Sequence, residues 1–259
     1  MKNLKYIRTS ESIPSRIMAL SATVLLSGSL LLSGTVFAAG GSATTSPNGS
    51  STTGTTNQQR LQNIINKGNE EITRRLTTLN TLTNKIDAAT HLTASDKTTL
   101  SNEVSSTVSG LTTLKSQLDA DTVLSQAKTD AESIYTEYRV YALVAPKVNL
   151  IKVADDQQVV EADLTTMAQK LQTRITAEQQ AGKDVTTLQT ELNDMTSMTN
   201  AAQAISSNIE STVINLQPSD YNSNHALLLG DNTQLKTAHL DNAAAYKDAK
   251  DIVSGLKNL

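Results

Sequence analysis

The chain has 259 residues, no cysteine, no tryptophan, one phenylalanine and a formal net charge of −3. Without cysteine there is no disulfide staple and no thiolate chemistry, and any core must be aliphatic. The mildly acidic balance gives no electrostatic reason to hold nucleic acid or an anionic membrane.

The N-terminus reads as an export signal. Lys2, Lys5, Arg8 and Arg16 supply a positive region, residues 17–37 a mostly apolar run, and Val36-Phe37-Ala38 the small residues that a signal peptidase reads. Residues 1–38 are therefore assigned as a signal peptide, with cleavage after Ala38. The competing reading is an uncleaved anchor, because the run is about long enough to span a bilayer; its Ser and Gly content argues against a permanent span. Cleavage removes four basic residues and Glu11, leaving 18 basic against 24 acidic residues, a net charge of −6. The expected location is secreted or cell-envelope associated, with no stable membrane span once the signal is removed. Residues 39–56, AGGSATTSPNGSSTTGTT, hold too little apolar surface to offset their ordering entropy and are predicted to be a disordered tether.

Residues 57–259 are predicted to form one domain of all-α class. The expected architecture is an elongated antiparallel helical bundle of coiled-coil-like hairpins, with about six helices. Leu61, Ile65, Ile72, Leu79 and Ile86 recur at helical spacing and predict helix one over 57–89. Thr93-Ala94-Ser95-Asp96 resembles a capping box with Asp in place of Glu, ahead of Leu100, Val104, Leu111, Leu114 and Leu118 in helix two. Asp121 is the expected N-cap of helix three, which carries Leu124, Ala127 and Ile134. At 140–145 the 3.6 period is lost in VYALVA, and Pro146 disfavours helical backbone at Ala145. A short extended break is predicted there. Helix four then runs over 146–181 and ends at Gly182. Asp184 opens helix five, residues 218–224 form a turn, and helix six starts near His225.

The chain carries no nucleophile elbow, P-loop or dinucleotide fingerprint, so no catalytic residue and no cofactor are assigned. His91, His225 and His239 lack metal-ligand spacing. Asp155, Asp156, Glu161 and Asp163 could line a weak calcium site but read as a solvated helix face, so no metal is assigned. The candidate interaction patch is Tyr135, Tyr138, Arg139, Tyr141 and Lys147. Tyr and Arg are frequent interface anchors; the favoured reading is structural, because in a chain short of aromatics these rings are needed to fill the junction where the chain turns.

The segment from Tyr138 to Lys147, YRVYALVAPK, set between long Thr- and Leu-rich helices behind a signal peptide, resembles a family of uncharacterised secreted all-helical proteins of bacteria. That resemblance implies a helical fold and export, and supplies no activity. A second likeness, of Leu92-Thr93-Ala94-Ser95-Asp96 to the LTxxQ phrase of periplasmic helical-hairpin chaperones, has Asp where that phrase has Gln. The functional expectation is an exported non-enzymatic protein with a binding or spacer role. Its partner would be a protein or a cell-envelope component, and unpaired apolar faces would allow self-association. The alternative is an extracytoplasmic chaperone or stress protein.

Overall fold

The computed structural model describes residues 52–259; the assigned signal peptide and most of the assigned tether lie outside that range. Seven α-helices and one π-helical turn follow in order: α1 (Thr52–Ala88), α2 (Ala94–Ala120), α3 (Leu124–Thr136), the π turn (Val140–Val144), α4 (Ala145–Gln180), α5 (Thr186–Val213), α6 (Pro218–Ser223) and α7 (Asp231–Lys257). There is no strand among the described residues, and none of their helices is long and apolar enough to cross a membrane.

Helix α4 is the element on which the others are assembled. At 36 residues it is ~54 Å long, and its two halves serve different cores. Val148, Leu150, Ile151 and Ala154 pack with Ile72 and Leu79 of α1, Leu100 and Leu111 of α2 and Ile134 of α3. Farther along, Leu164, Leu171 and Ile175 pack with Leu188, Leu192 and Met195 of α5 and Ala249 and Ile252 of α7. The side-chain contacts fix the helix directions. Asn69 reaches Asp119 and Lys97 reaches the Asp87 carbonyl, so α1 and α2 are antiparallel. Gln172 pairs with Gln189 and Gln158 with Glu210, so α4 and α5 are antiparallel too. Helix α7 lies parallel to α4, with Gln157 on the Leu235 carbonyl and Asn242 on Glu161.

Several ends follow local chemistry. Gly182, at φ 80°, closes α4 with the amide of Lys183 on Glu178 and its own on Gln179, the double bond of a Schellman stop. The Asp184 carboxylate accepts from the Thr186 amide at the start of α5. Other ends depart from expectation. Helix α1 reaches back to Thr52, inside the assigned tether, as an extension of the turns that Leu61 and Ile65 anchor, since adding a residue to an existing helix avoids the cost of a new nucleus. Asp121 is the C-cap of α2, and α3 starts from Val123 without a side-chain cap. The predicted turn after Leu216 holds the six-residue α6, started by Pro218 and by the Gln217 amide on Asp220 at 2.7 Å. Helix α7 starts at Asp231, after Gly230 at φ 96°.

The main correction concerns residues 140–145, which are not extended. The amides of Val144 and Ala145 reach back five residues, to the carbonyls of Arg139 and Val140. Val and Tyr favour a strand, but no partner strand exists among the described residues, and isolated extended backbone would leave buried amides unpaired. Pro146 has no N–H to donate, so the helical ladder is already interrupted there. One wide turn absorbs the interruption and lets helix continue into α4. Its entry is Arg139 at φ 42°, the left-handed region that a side chain occupies only at a cost.

Candidate functional site

The wide turn divides the predicted patch four ways. Tyr135, from the last turn of α3, and Tyr141, from the π turn, both bring their rings to Arg75, with the guanidinium carbon 4.7 and 4.9 Å from the ring centroids. Arg75 belongs to α1 and stands at the helical spacing of Ile72 and Leu79 (i+3 and i−4). Its side chain is 6% exposed, and it donates to the Glu71 carboxylate at 2.6 Å and to the Glu71 carbonyl at 3.1 Å. Glu71 also takes Arg74 at 2.7 Å. The two rings are 47% and 36% exposed, so a half-open aromatic pair surrounds an almost enclosed cation. Burial raises the Tyr135 hydroxyl above the ordinary tyrosine range and Glu71 adds to this, while Arg75 and Arg74 oppose it.

Tyr138 points elsewhere. Its ring lies over Gly110 of α2, where an added Cβ would stand 2.5 Å from Cε1. With Thr99, Glu103, Thr107 and Gln217 it walls a cavity of about 370 Å³. Burial, with Glu137 nearby, raises its hydroxyl. Gly110→Ala is expected to cost about 1–3 kcal/mol, since the ring must leave its place. Tyr138→Ala in the same chain should remove most of that increment, as a double-mutant cycle of thermal unfolding would measure.

Arg139 is a clamp on α6. Its Nε donates to Asn222 at 2.6 Å, Asn222 donates to the Thr136 carbonyl at 2.8 Å, and the guanidinium carbon lies 5.5 Å from the Tyr221 ring centroid. The left-handed backbone at Arg139 is thereby held from a neighbouring helix.

Lys147 is not on the surface at all. It is fully buried, with Nζ 2.8 and 2.9 Å from the two carboxylate oxygens of Glu103 and also donating to the Leu216 carbonyl. Burial pushes the Glu103 carboxyl up, and the Lys147 hydrogen bond and charge pull it back. Lys147 therefore cannot contribute to an exposed patch. It ties α2 to α4 and to the segment that follows α5.

A second polar assembly, missed as a unit by the sequence reading, lies between the two apolar cores. The acidic run of α4 is not a single solvated face. Asp156 is partly exposed and holds His91 at 2.9 Å and Lys152 at 2.6 Å. Asp163 is partly exposed, but Asp155 and Glu161 are buried. Glu161 is 1% exposed and accepts from Ser206 at 2.7 Å and Asn242 at 3.3 Å. Its carboxyl is pushed above the ordinary range by burial, against those two donors. Asp155 accepts the Thr93 amide at 3.0 Å, which takes over half of the predicted capping box. Thr93 Oγ1 accepts from the Asp96 amide at 3.1 Å as expected, but the Asp96 carboxylate receives the Thr93 hydroxyl at 2.6 Å, not the Thr93 amide. Burial raises Asp155 to about 6, the Thr93 amide opposes this, and Asp96 and Glu210 add to it. The period could have flagged this layer. Gln157 and Glu161 precede Leu164 by seven and three residues, on the face that the apolar ladder buries.

Neither the tyrosine junction nor the polar layer presents a nucleophile beside a histidine base among the described residues. His91 and His225 are exposed, His225 against the Tyr221 ring at 5.2 Å, and His239 is half-buried. Comparison of the chain with models of known families, with curated proteins and with solved structures finds no match.

Proposed function

We propose that the chain is an exported, non-enzymatic helical protein that acts at the cell surface or in the medium as a binding and spacer element. Its recognition patch would be Tyr135, Arg75 and Tyr141. The observation that carries this reading is the pair of half-exposed rings that both contact one enclosed guanidinium. Such rings offer contact area at little further entropic cost, and Tyr and Arg dominate measured binding hot spots. The N-terminal charge and hydropathy pattern supports export, and the long α4 supports a spacer role. The broad cleft between α4 and α5, about 650 Å³, is lined by Ala168 and Leu192 as well as by Gln169, Gln172, Asn193, Thr196 and Asn200, and a chaperone that holds clients there is the alternative reading.

The test has two parts. N-terminal mapping of protein recovered from medium and envelope fractions should find a start after Ala38. Purified protein should bind envelope preparations saturably, and Tyr135→Ala with Tyr141→Ala should weaken this at least about tenfold, the effect of losing one modest hot spot, with little change in melting temperature. Recovery only from the cytosol, or unchanged binding by the double variant, would overturn the proposal.

A further inference from the structure

We propose that Asp96, Asp155 and Glu210 form a binding site for a divalent cation of the hard, oxygen-seeking class, calcium above all, which stitches the α1–α2 turn to α4 and α5. This inference does not depend on the recognition patch.

The three carboxylates come from three different elements: the first turn of α2, the first third of α4 and the last turn of α5. Each offers an oxygen such that the three lie within 4.8 Å of one another. Asp96 is 6% exposed and Asp155 2%. Acidic proximity alone would mean little. The second observation is that Asp155 Oδ1, buried, has no hydrogen-bond partner among the described residues. A carboxylate oxygen in that position lacks both water and a donor, which is costly unless something else meets it.

The rest of the layer orients the three groups. Thr93 holds Asp96 through its hydroxyl and Asp155 through its amide, and Gln158 donates to Glu210. Each carboxylate thus has one oxygen fixed by a protein donor and a second that accepts from no protein donor among the described residues. This is how outer groups aim ligands at an ion. No lysine, arginine or histidine among the described residues forms an ion pair with any of the three. The nearby His91 and Lys152 are both engaged by Asp156. The donor set is oxygen only, with neither imidazole nor thiolate, which selects calcium or magnesium over zinc or copper. Carboxylate donors drawn from three separate helices suit the larger calcium ion, which is less demanding of ideal geometry.

The rival occupant is a proton shared between Asp96 and Asp155, and the experiment separates the two. The purified full chain is stripped with a chelator and titrated with calcium by calorimetry, with magnesium in parallel, while melting is followed by circular dichroism. The expected result is one calcium per chain with a dissociation constant of ~10⁻⁴–10⁻³ M, the range of extracellular modules, and a melting temperature that rises with calcium. Asp155→Asn should weaken binding by at least about tenfold, and Asp163→Asn, outside the trio, should leave it unchanged. Glu210→Gln, at a less buried position, gives a second reading should Asp155→Asn fold poorly. No heat and no melting shift at ~10 mM calcium, ten times the weak end of that range, would overturn the proposal. So would binding that survives both Asp155→Asn and Glu210→Gln; the trio would then be carboxyls sharing a proton.

Discussion

Lys147→Met should destabilise the protein by about 3 kcal/mol, the lower part of the range for breaking a buried ion pair from one side. The substitution nearly conserves volume, so the loss is electrostatic rather than a packing defect. It leaves the Glu103 carboxylate without its cation and the Leu216 carbonyl without its donor. Glu103 keeps 17% of its side-chain surface in water, which places the estimate at the low end. For a domain of this size the melting temperature should fall by about 6–12 °C. Adding Glu103→Leu should recover most of the loss, because an apolar replacement of both partners is often neutral. Thermal and urea unfolding of the single and double variants would check this. A single variant as stable as the parent would show that the ammonium contributes nothing net. The loss should also depend on pH. Burial already raises Glu103, and removing Lys147 raises it further. Protonated Glu103 is tolerated, so the variant should approach the parent below the ordinary carboxyl value of 4.5 and diverge as pH rises through the raised one.

Glu161→Ala should cost about 2–4 kcal/mol, combining a cavity in a closely packed layer with an unpartnered Asn242 donor. Ser206 loses less, since its hydroxyl also reaches the Ala202 carbonyl at 3.1 Å. Glu161→Gln should be close to neutral at pH 7, because it retains the shape and one acceptor and removes a buried charge. The pH profile gives the sharper test. The Glu161 carboxyl is raised in the folded protein by burial. The folded state therefore binds that proton more tightly than the unfolded chain does. The associated stability is complete below about 4.5 and is lost as pH rises through the raised folded value. Denaturant unfolding of parent and Glu161→Gln between pH 4 and pH 8, taken as about the window of such shifts, should diverge in slope across that interval. Parallel profiles would mean that the carboxylate is ionised in place at no cost.

What the sequence disclosed, and what it hid, follow from the range of the interactions. The ladder Ile65, Ile72, Leu79, Ile86 is local and periodic, and it lies in the first core as expected. Gly182 was legible for the same reason: a left-handed stop needs a residue without Cβ, and one stands where the period ends. Residues 140–145 were correctly located as a break but assigned the wrong conformation. Valine and tyrosine carry strand propensity, and the competing demand, that buried amides be paired without a neighbouring strand, is tertiary. Lys147 misled because lysine is rarely buried without a partner. Its partners are Glu103 and Leu216, which no local pattern links to it. Arg75 was overlooked because its glutamates at i−4 and i−5 explain it as a surface helix pair, while the tyrosines that enclose it lie about sixty residues on. In α4, composition and period gave opposite answers at Gln157 and Glu161. Composition pointed to water, the period pointed inward, and the period was right.

Helix α4 supplies a wall to each of the two greasy interiors, as α5 does through Ile209 and Leu192 and α7 through Leu235 and Ile252. Severing the chain near Val159 would therefore leave two fragments that each present an open side, neither of them a finished module. Duplication or exchange of half the chain would meet the same obstacle. The protein is built like a beam laid across two spans.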